Sequence, residues 1–192
     1  MGSLEGHSQE SGPAPFPFRS HPEMREMLER ALSGERRTGP RPELEAVLRR
    51  AGIDRQLDEG PLWLHEFRFA ATPDAVPGAR RRVAEFAADC GLGGEALYDM
   101  ALAAAEALSN AVLHGSPNGV RDDVEVRVGV GRRTVVVEIR DRGPGFEPGV
   151  AAAWDGTATG GRGIPFMRGL LDEVRFGRLE VGTCVVLTKR VG

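Results

Sequence analysis

Valine recurs at every second position through Val124, Val126, Val128 and Val130, and an equally regular run follows through Val135, Val137 and Ile139. Alternation with polar residues gives each run one face to bury and one to wet, so both read as strands, joined at Gly131-Arg132 as a hairpin. A hairpin alone buries too little to be stable, so this one demands a cover and further strands. The cover precedes it: Thr72-Pro73-Asp74 opens a helix with the stripe Val76, Ala79, Val83, Phe86, Ala87 and Cys90, closed by Gly91. A second helix runs from about Glu95 to Leu113. Upstream, Trp63, Phe67 and Phe69 alternate against Glu66 and Arg68 as a strand. Downstream, past a loop rich in Gly, Pro and Ala, come a helix near Pro165 to Leu171 and a strand pair, about Glu173 to Gly177 and Thr183 to Lys189. Helices gathered against a largely antiparallel sheet make an α+β two-layer sandwich.

Residues 1–61 read as an N-terminal extension and residues 62–192 as the globular domain. Met1 to Arg19 is rich in Gly, Ser and Pro with little to bury, a composition that predicts disorder. Ser20-His21-Pro22-Glu23 then reads as a capping box before Met24, Met27, Leu28, Ala31 and Leu32 at helical spacing, up to Ser33-Gly34. A second short helix opens near Pro42, carries Leu44, Val47, Leu48 and Ala51 on one face, and ends at Gly52. Helices this short need something to pack against. Their own domain is the default, and a docking arm for a partner is the alternative.

Charge and composition exclude several functions. The chain carries 25 basic and 28 acidic side chains, a formal charge of −3, so neither nucleic acid nor an anionic membrane is an electrostatically obvious partner. Lys189 is the only lysine; the other 24 basic residues are arginine. A Walker A loop needs a lysine after its glycines, a eukaryotic-type kinase needs one on a strand, and a Schiff-base enzyme needs one in its site. Any phosphate bound here must be met by backbone amides or arginine. Cys90 and Cys184 are too few for a disulfide framework, and the histidines at 7, 21, 65 and 114 stand singly, without metal-ligand spacing. No apolar run reaches the roughly 18 residues of a membrane span, and no signal-peptide pattern opens the chain, so a soluble, cytoplasmic protein is expected.

Three places carry candidate chemistry. On the second helix, the apolar stripe Leu97, Ala101, Ala104, Leu108, Ala111 and Val112 leaves Glu106 and Asn110 roughly opposite it, four residues apart on one face, beside the small Ala103. That pair reads either as the polar wall of a pocket or as a solvated surface. Asp141 follows a strand and precedes Gly143-Pro144-Gly145-Phe146, where the chain must turn sharply. Gly160-Gly161-Arg162-Gly163 leads into Ile164-Pro165-Phe166 and a helix, the arrangement of a glycine-rich anion site at a helix N-terminus. The thirteen residues from Glu147 to Thr159 would then be a flexible lid.

Glu106-Ala107-Leu108-Ser109-Asn110, Asp141-Arg142-Gly143-Pro144-Gly145, Gly161-Arg162-Gly163-Ile164 and Gly182-Thr183 stand in the order and spacing of the N, G1, G2 and terminal Gly-Thr motifs of the histidine-kinase-like ATPases. Over about Leu62 to Val191 the chain resembles that superfamily, the Bergerat fold, whose sheet is mixed and mostly antiparallel with the helices on one face. With His114-Gly115 closing the N motif and a short lid, it looks like the RsbW/SpoIIAB group, bacterial anti-sigma factors that are also serine/threonine protein kinases.

The resemblance implies binding of ATP and ADP with Mg²⁺. Asp141 would accept a hydrogen bond from the adenine amino group, supported by Thr183, with Gly143 and Gly145 turning the loop. Asn110 would offer an uncharged oxygen to Mg²⁺, Gly161 and Gly163 would bring backbone N–H groups to the phosphates, and Glu106 would be the general base. Arg162 is the one nearby cation for the γ-phosphate, because the lid has none between Phe146 and Gly160. Pro165 just inside the last helix departs from the family pattern. The implied partners are a sigma factor and a STAS-type anti-sigma-factor antagonist, with Arg80 at the place of partner contact and a homodimer as the assembly. Capture of partners without phosphorylation is the competing reading. His65-Glu66-Phe67-Arg68 imitates a sensor-kinase phosphoacceptor box, but that box needs a helical hairpin and His65 lies in a strand pattern.

Overall fold

The computed structural model describes residues 60–145 and 163–191. The predicted N-terminal helices, the lid, Gly161 and Arg162 lie outside these described residues. Strand β1 (Leu62–Ala70) is followed by a 3₁₀ turn (Pro73–Ala75), helix α1 (Val76–Asp89) and helix α2 (Gly94–Leu113). Then come β2 (Asp123–Gly131), β3 (Thr134–Arg140), α3 (Gly163–Leu170), β4 (Glu173–Arg178) and β5 (Thr183–Arg190). The sheet order is β1-β2-β3-β5-β4. Every pairing among the described residues is antiparallel, so no parallel pair occurs there.

The alternation that announced the hairpin is what closes the core. Val124, Val126, Val128, Val130, Val135, Val137 and Ile139 are all buried on the helix side of the sheet, where each valine contributes about 1.5–3 kcal/mol on leaving water. The turn comes one residue later than expected. Gly131 still pairs with Thr134, and Arg133 takes the left-handed φ of 52°. A Cβ at Gly131 would meet Thr134 Oγ1 at 2.5 Å.

Two expectations about faces are corrected. In β1 the pairing slips between Trp63, opposite Gly129, and His65, opposite Val128. An extra residue reverses the inward and outward parity, so Leu62 and Phe67 are buried while Trp63 turns to the other side of the sheet and lies 5.2 Å from the Arg127 guanidinium. Gly129 permits this crossing, since a Cβ would sit 2.2 Å from the Leu62 carbonyl oxygen. On α2 the buried set is Met100, Ala103, Ala104, Ala107, Leu108, Ala111 and Val112, with Leu97 and Ala101 only partly covered. The helix lies over β3 and β5 with α1 on one flank and α3 on the other, so more than half its girth is enclosed. Its many alanines make that close approach possible.

His65 stacks on Phe86 of α1 with ring centroids 4.1 Å apart and planes within 3°. It stands in a strand, as its sequence context required, and not on a helical hairpin. Of the three arginines on α1, Arg82 lies 4.1 Å from the Phe67 ring centre, whereas Arg80 projects into solvent beside the buried Ala79. Pro165 falls in the first turn of α3, where its missing N–H removes no helical bond.

Candidate functional site

Between α2, α3 and the ends of β3 and β5 lies a cavity of about 270 Å³. Glu106, Asn110, Gly115, Asp141, Gly163 and Thr183 all line it, and Ala107, Ala111, Ile164, Met167, Phe176 and Val185 form apolar walls. Glu106 and Asn110 are therefore neither on a solvated surface nor opposite the packed stripe. They stand at its margin, half-buried, flanked by Ala103 and Ala107. Asn110 Nδ2 donates to Glu106 Oε1 at 3.2 Å. That bond orients the amide so that its oxygen is left available, and it holds one carboxylate oxygen in place.

Asp141 sits just past β3 with its backbone N–H donating to the Thr183 carbonyl at 3.0 Å. Its Oδ1 accepts from the Thr183 N–H at 2.9 Å and the Gly143 N–H at 3.0 Å, while Oδ2 accepts no hydrogen bond among the described residues. The residue as a whole is only 7 % exposed. Burial pushes its pKa above the ordinary carboxylate range, and the two backbone donors offset part of that rise. The result is a fixed acceptor with one committed and one open oxygen.

Glycines make this packing possible. A Cβ at Gly115 would lie 2.3 Å from Asp141 Cγ, and one at Gly143 would lie 2.7 Å from the Gly115 Cα. Gly182 has φ of +99° and faces the Asp141 carbonyl, which a Cβ would meet at 1.9 Å. At the other end of the cavity, a Cβ on Gly163 would fall 2.0 Å from Glu106 Oε1, so α3 begins directly against that carboxylate. Helix α2 stops where it must: the N–H groups of His114 and Gly115 both donate to the Asn110 carbonyl before the chain passes beneath Asp141.

The fold thus brings together Glu106, Asn110, Asp141, Gly145, Gly163 and Thr183 on one cavity, with Gly143 packed directly behind Asp141. Arg80 does not line it, and Gly161 and Arg162 lie outside the described residues. Sequence reasoning counted Gly115 and Gly182 in the motifs but gave neither a role in the site. Nor did it anticipate Arg178, whose Nε would be 3.3 Å from a Cβ on Gly145. Among the described residues no group of three or more His, Cys, Asp or Glu side chains is placed to hold a metal ion. No helix among them is long and apolar enough to cross a membrane.

Several known proteins are similar to this chain. The serine-protein kinase RsbW of Bacillus licheniformis is 28% identical over 134 residues, which is 65% of this chain and 83% of that protein. The anti-sigma F factor of Anoxybacillus flavithermus is 30% identical over 131 residues, 65% of this chain and 90% of its own. A crystal structure of the RsbU and RsbW domains of a Mycobacterium tuberculosis protein is 25% identical, with a TM-score of 0.49, covering 68% of this chain and 32% of that one. The histidine kinase-like ATPase domain family matches residues 69–189, a span that holds the last two residues of β1, all of β2, β3 and β4, β5 up to Lys189, and every described wall of the cavity. The chain belongs to the histidine kinase-like ATPase domain family.

Proposed function

We propose that this protein is an ATP-binding anti-sigma factor that transfers the γ-phosphoryl group of ATP to a serine or threonine of a STAS-type antagonist. The observation that carries the reading is the half-satisfied Asp141 carboxylate sharing one cavity with the Glu106–Asn110 pair. The open Oδ2 suits the amino group of adenine and rejects guanine, which presents a carbonyl at that place. The names of the two similar bacterial proteins, a serine-protein kinase and an anti-sigma F factor, support the same assignment.

In this reading Glu106 accepts the proton of the attacking hydroxyl as its oxygen bonds to the γ-phosphorus and the bond to the β-phosphate oxygen breaks. Gly163, with Gly161 and Arg162 before it, brings backbone N–H groups to the phosphates at the start of α3. Asn110 fits Mg²⁺, because its Nδ2 is engaged by Glu106 and its neutral oxygen has no hydrogen bond among the described residues. Such an ion supplies charge neutralisation on the phosphates. Thr183 holds Asp141, Arg80 belongs to the partner-facing surface, and the protein acts in the cytoplasm as a homodimer on a sigma factor and its antagonist.

The second reading, partner capture without transfer, is favoured by one observation: the described residues lining the cavity include no arginine or lysine to meet a γ-phosphate. Two measurements test both. Calorimetry with ADP and with ATP in magnesium buffer should detect association, with GTP giving none. Labelled ATP mixed with a co-purified STAS partner should then yield a labelled partner. Association without labelling selects the capture reading, and no association rejects both.

A further inference from the structure

Strand β5 turns Val185 and Leu187 toward the helices, Val185 onto the cavity wall and Leu187 into the core. Alternation puts Lys189, the only lysine of the chain, next on that face, opposite the fully buried Val135. Its side chain is 19 % exposed. An apolar residue would cover the core at less cost, because an ammonium withdrawn from water has to recover its lost hydration. Lys189 recovers it from two helices at once. Its Nζ lies 2.9 Å from Asp99 Oδ2 on α2 and donates to the Leu170 carbonyl at the end of α3. That carbonyl is among the last of the helix, where no intrahelical N–H is available, and a cation there also meets the negative end of the helix dipole.

This contact is the far end of an arrangement whose near end is the proposed transfer site. Asp99 and Glu106 stand seven residues apart, two turns of α2, which sets them on one side of that helix. Gly163 and Leu170, the first and last residues of α3, are seven apart as well. Gly163 abuts the Glu106 carboxylate, and Leu170 is joined through Lys189 to Asp99. Helix α3 therefore lies antiparallel along α2, met at both ends by carboxylates about 10 Å apart. Between them on that side of α2 stands the buried Ala103, whose methyl gives little to key α3 lengthwise. The ends have to set where α3 begins.

We propose that Lys189 is a positioning residue of the transfer site: by clamping the C-terminal end of α3 to Asp99, it fixes the placement of Gly163 against Glu106. The task this placement serves rests on the kinase reading; the placement itself rests only on the contacts at the two helix ends. Without the ammonium, the Asp99 carboxylate would face the carbonyl end of α3 with no positive charge between them, and the two repel. A helix of two turns is stiff, so a retreat at Leu170 is carried to Gly163.

Two readouts on the full-length protein test this. Lys189→Met keeps the aliphatic stem and removes the charge, and Lys189→Arg is the conservative rescue. In ¹H–¹⁵N spectra without nucleotide, the Gly163 amide should move in Lys189→Met and return toward its wild-type position in Lys189→Arg. The Gly143 and Thr183 amides that hold Asp141 should stay where they are. With labelled ATP and a STAS partner, kcat should fall about tenfold or more in Lys189→Met, because a reacting group misplaced by about 1 Å can cost up to roughly 10²-fold. Adenosine affinity should be unchanged, and Lys189→Arg should restore kcat. A Gly163 amide indifferent to the lost charge overturns the clamp, whatever the protein catalyses. A displaced Gly163 with unchanged kcat overturns the positioning role, and so does a parallel loss of adenosine affinity and kcat, which marks general loosening. A displaced Gly163 in a protein whose wild type transfers nothing supports the clamp and refutes the kinase reading. Should Lys189→Met fail to fold, Asp99→Asn keeps the shape and an acceptor oxygen while dropping the charge. It should displace the same amide by less, and no displacement overturns the clamp.

Discussion

At the Asp141 end of the cavity, every restraint is backbone: two N–H donors on Oδ1, the Thr183 bridge, and glycines at 115, 143 and 182 where a Cβ has no room. The Glu106 end is held by one side-chain bond from Asn110 and by the close start of α3 at Gly163. Backbone restraints cannot relax by changing rotamer, so the first end is a preformed receptor. Side-chain restraints can, so the second end is able to tighten as a substrate arrives. In the proposed kinase, recognition is thus built in beforehand and the geometry of transfer is completed on binding.

The contrast can be broken from the Glu106 end first, where the effect is largest. Glu106→Gln keeps the shape and the hydrogen-bond acceptor but removes the proton acceptor, so transfer to the partner should fall roughly 10²-fold or more while ADP affinity changes little. A variant that transfers at the wild-type rate removes Glu106 from that role. Asp141→Asn should do the opposite. The amide oxygen still receives both backbone N–H groups, but an NH₂ replaces the open acceptor, costing about 1.5–3 kcal/mol of adenine affinity, or roughly 10–150-fold in Kd. Titration calorimetry with adenosine reads this without the phosphates.

Gly115→Ala presses a methyl into the pinned Asp141 carboxyl, and overpacking of this kind destabilises by about 1–3 kcal/mol. Chemical denaturation should register it together with weaker nucleotide binding. At Gly163 the neighbouring atom is the end of the Glu106 side chain, so Gly163→Ala should leave folding less affected and impair transfer more.

The smallest expected effect is a pH dependence. Burial raises the Asp141 pKa, so the folded protein takes up this proton before the unfolded chain does as pH falls. Between the raised value and the ordinary carboxylate range, acidification relieves the cost of the buried charge, and this residue's contribution to stability improves. Adenosine affinity should weaken over the same window as the acceptor is protonated. Asp141→Asn should flatten both profiles; an unchanged wild-type profile across the acid range would show that the carboxyl keeps its ordinary pKa.

Much of the fold was legible because its signals are local. The valine alternation marked β2 and β3, and the glycines at 91 and 163 marked helix ends within a residue or two of where they fall. What failed was parity. Nothing in Trp63-Leu64-His65 announces a bulge, because the slip arises from Gly129 on the neighbouring strand letting the Leu62 carbonyl pass close. The stripe on α2 was drawn too narrow for a similar reason. Alanines give little periodic signal, and it is the neighbours on three sides that bury them.

By itself the amino-acid order determined which residues are candidates for chemistry and in what succession they stand, because the carboxylates, the amide and the glycines are recognisable by type and spacing along one chain. Only the tertiary structure decided that Glu106 and Asn110 face a cavity and not solvent, and that Asp141 keeps one oxygen open. It also decided that Gly115 belongs with Asp141, which lies 26 positions away. The reason is physical: exposure, desolvation and steric room depend on atoms that meet only when separate segments pack together.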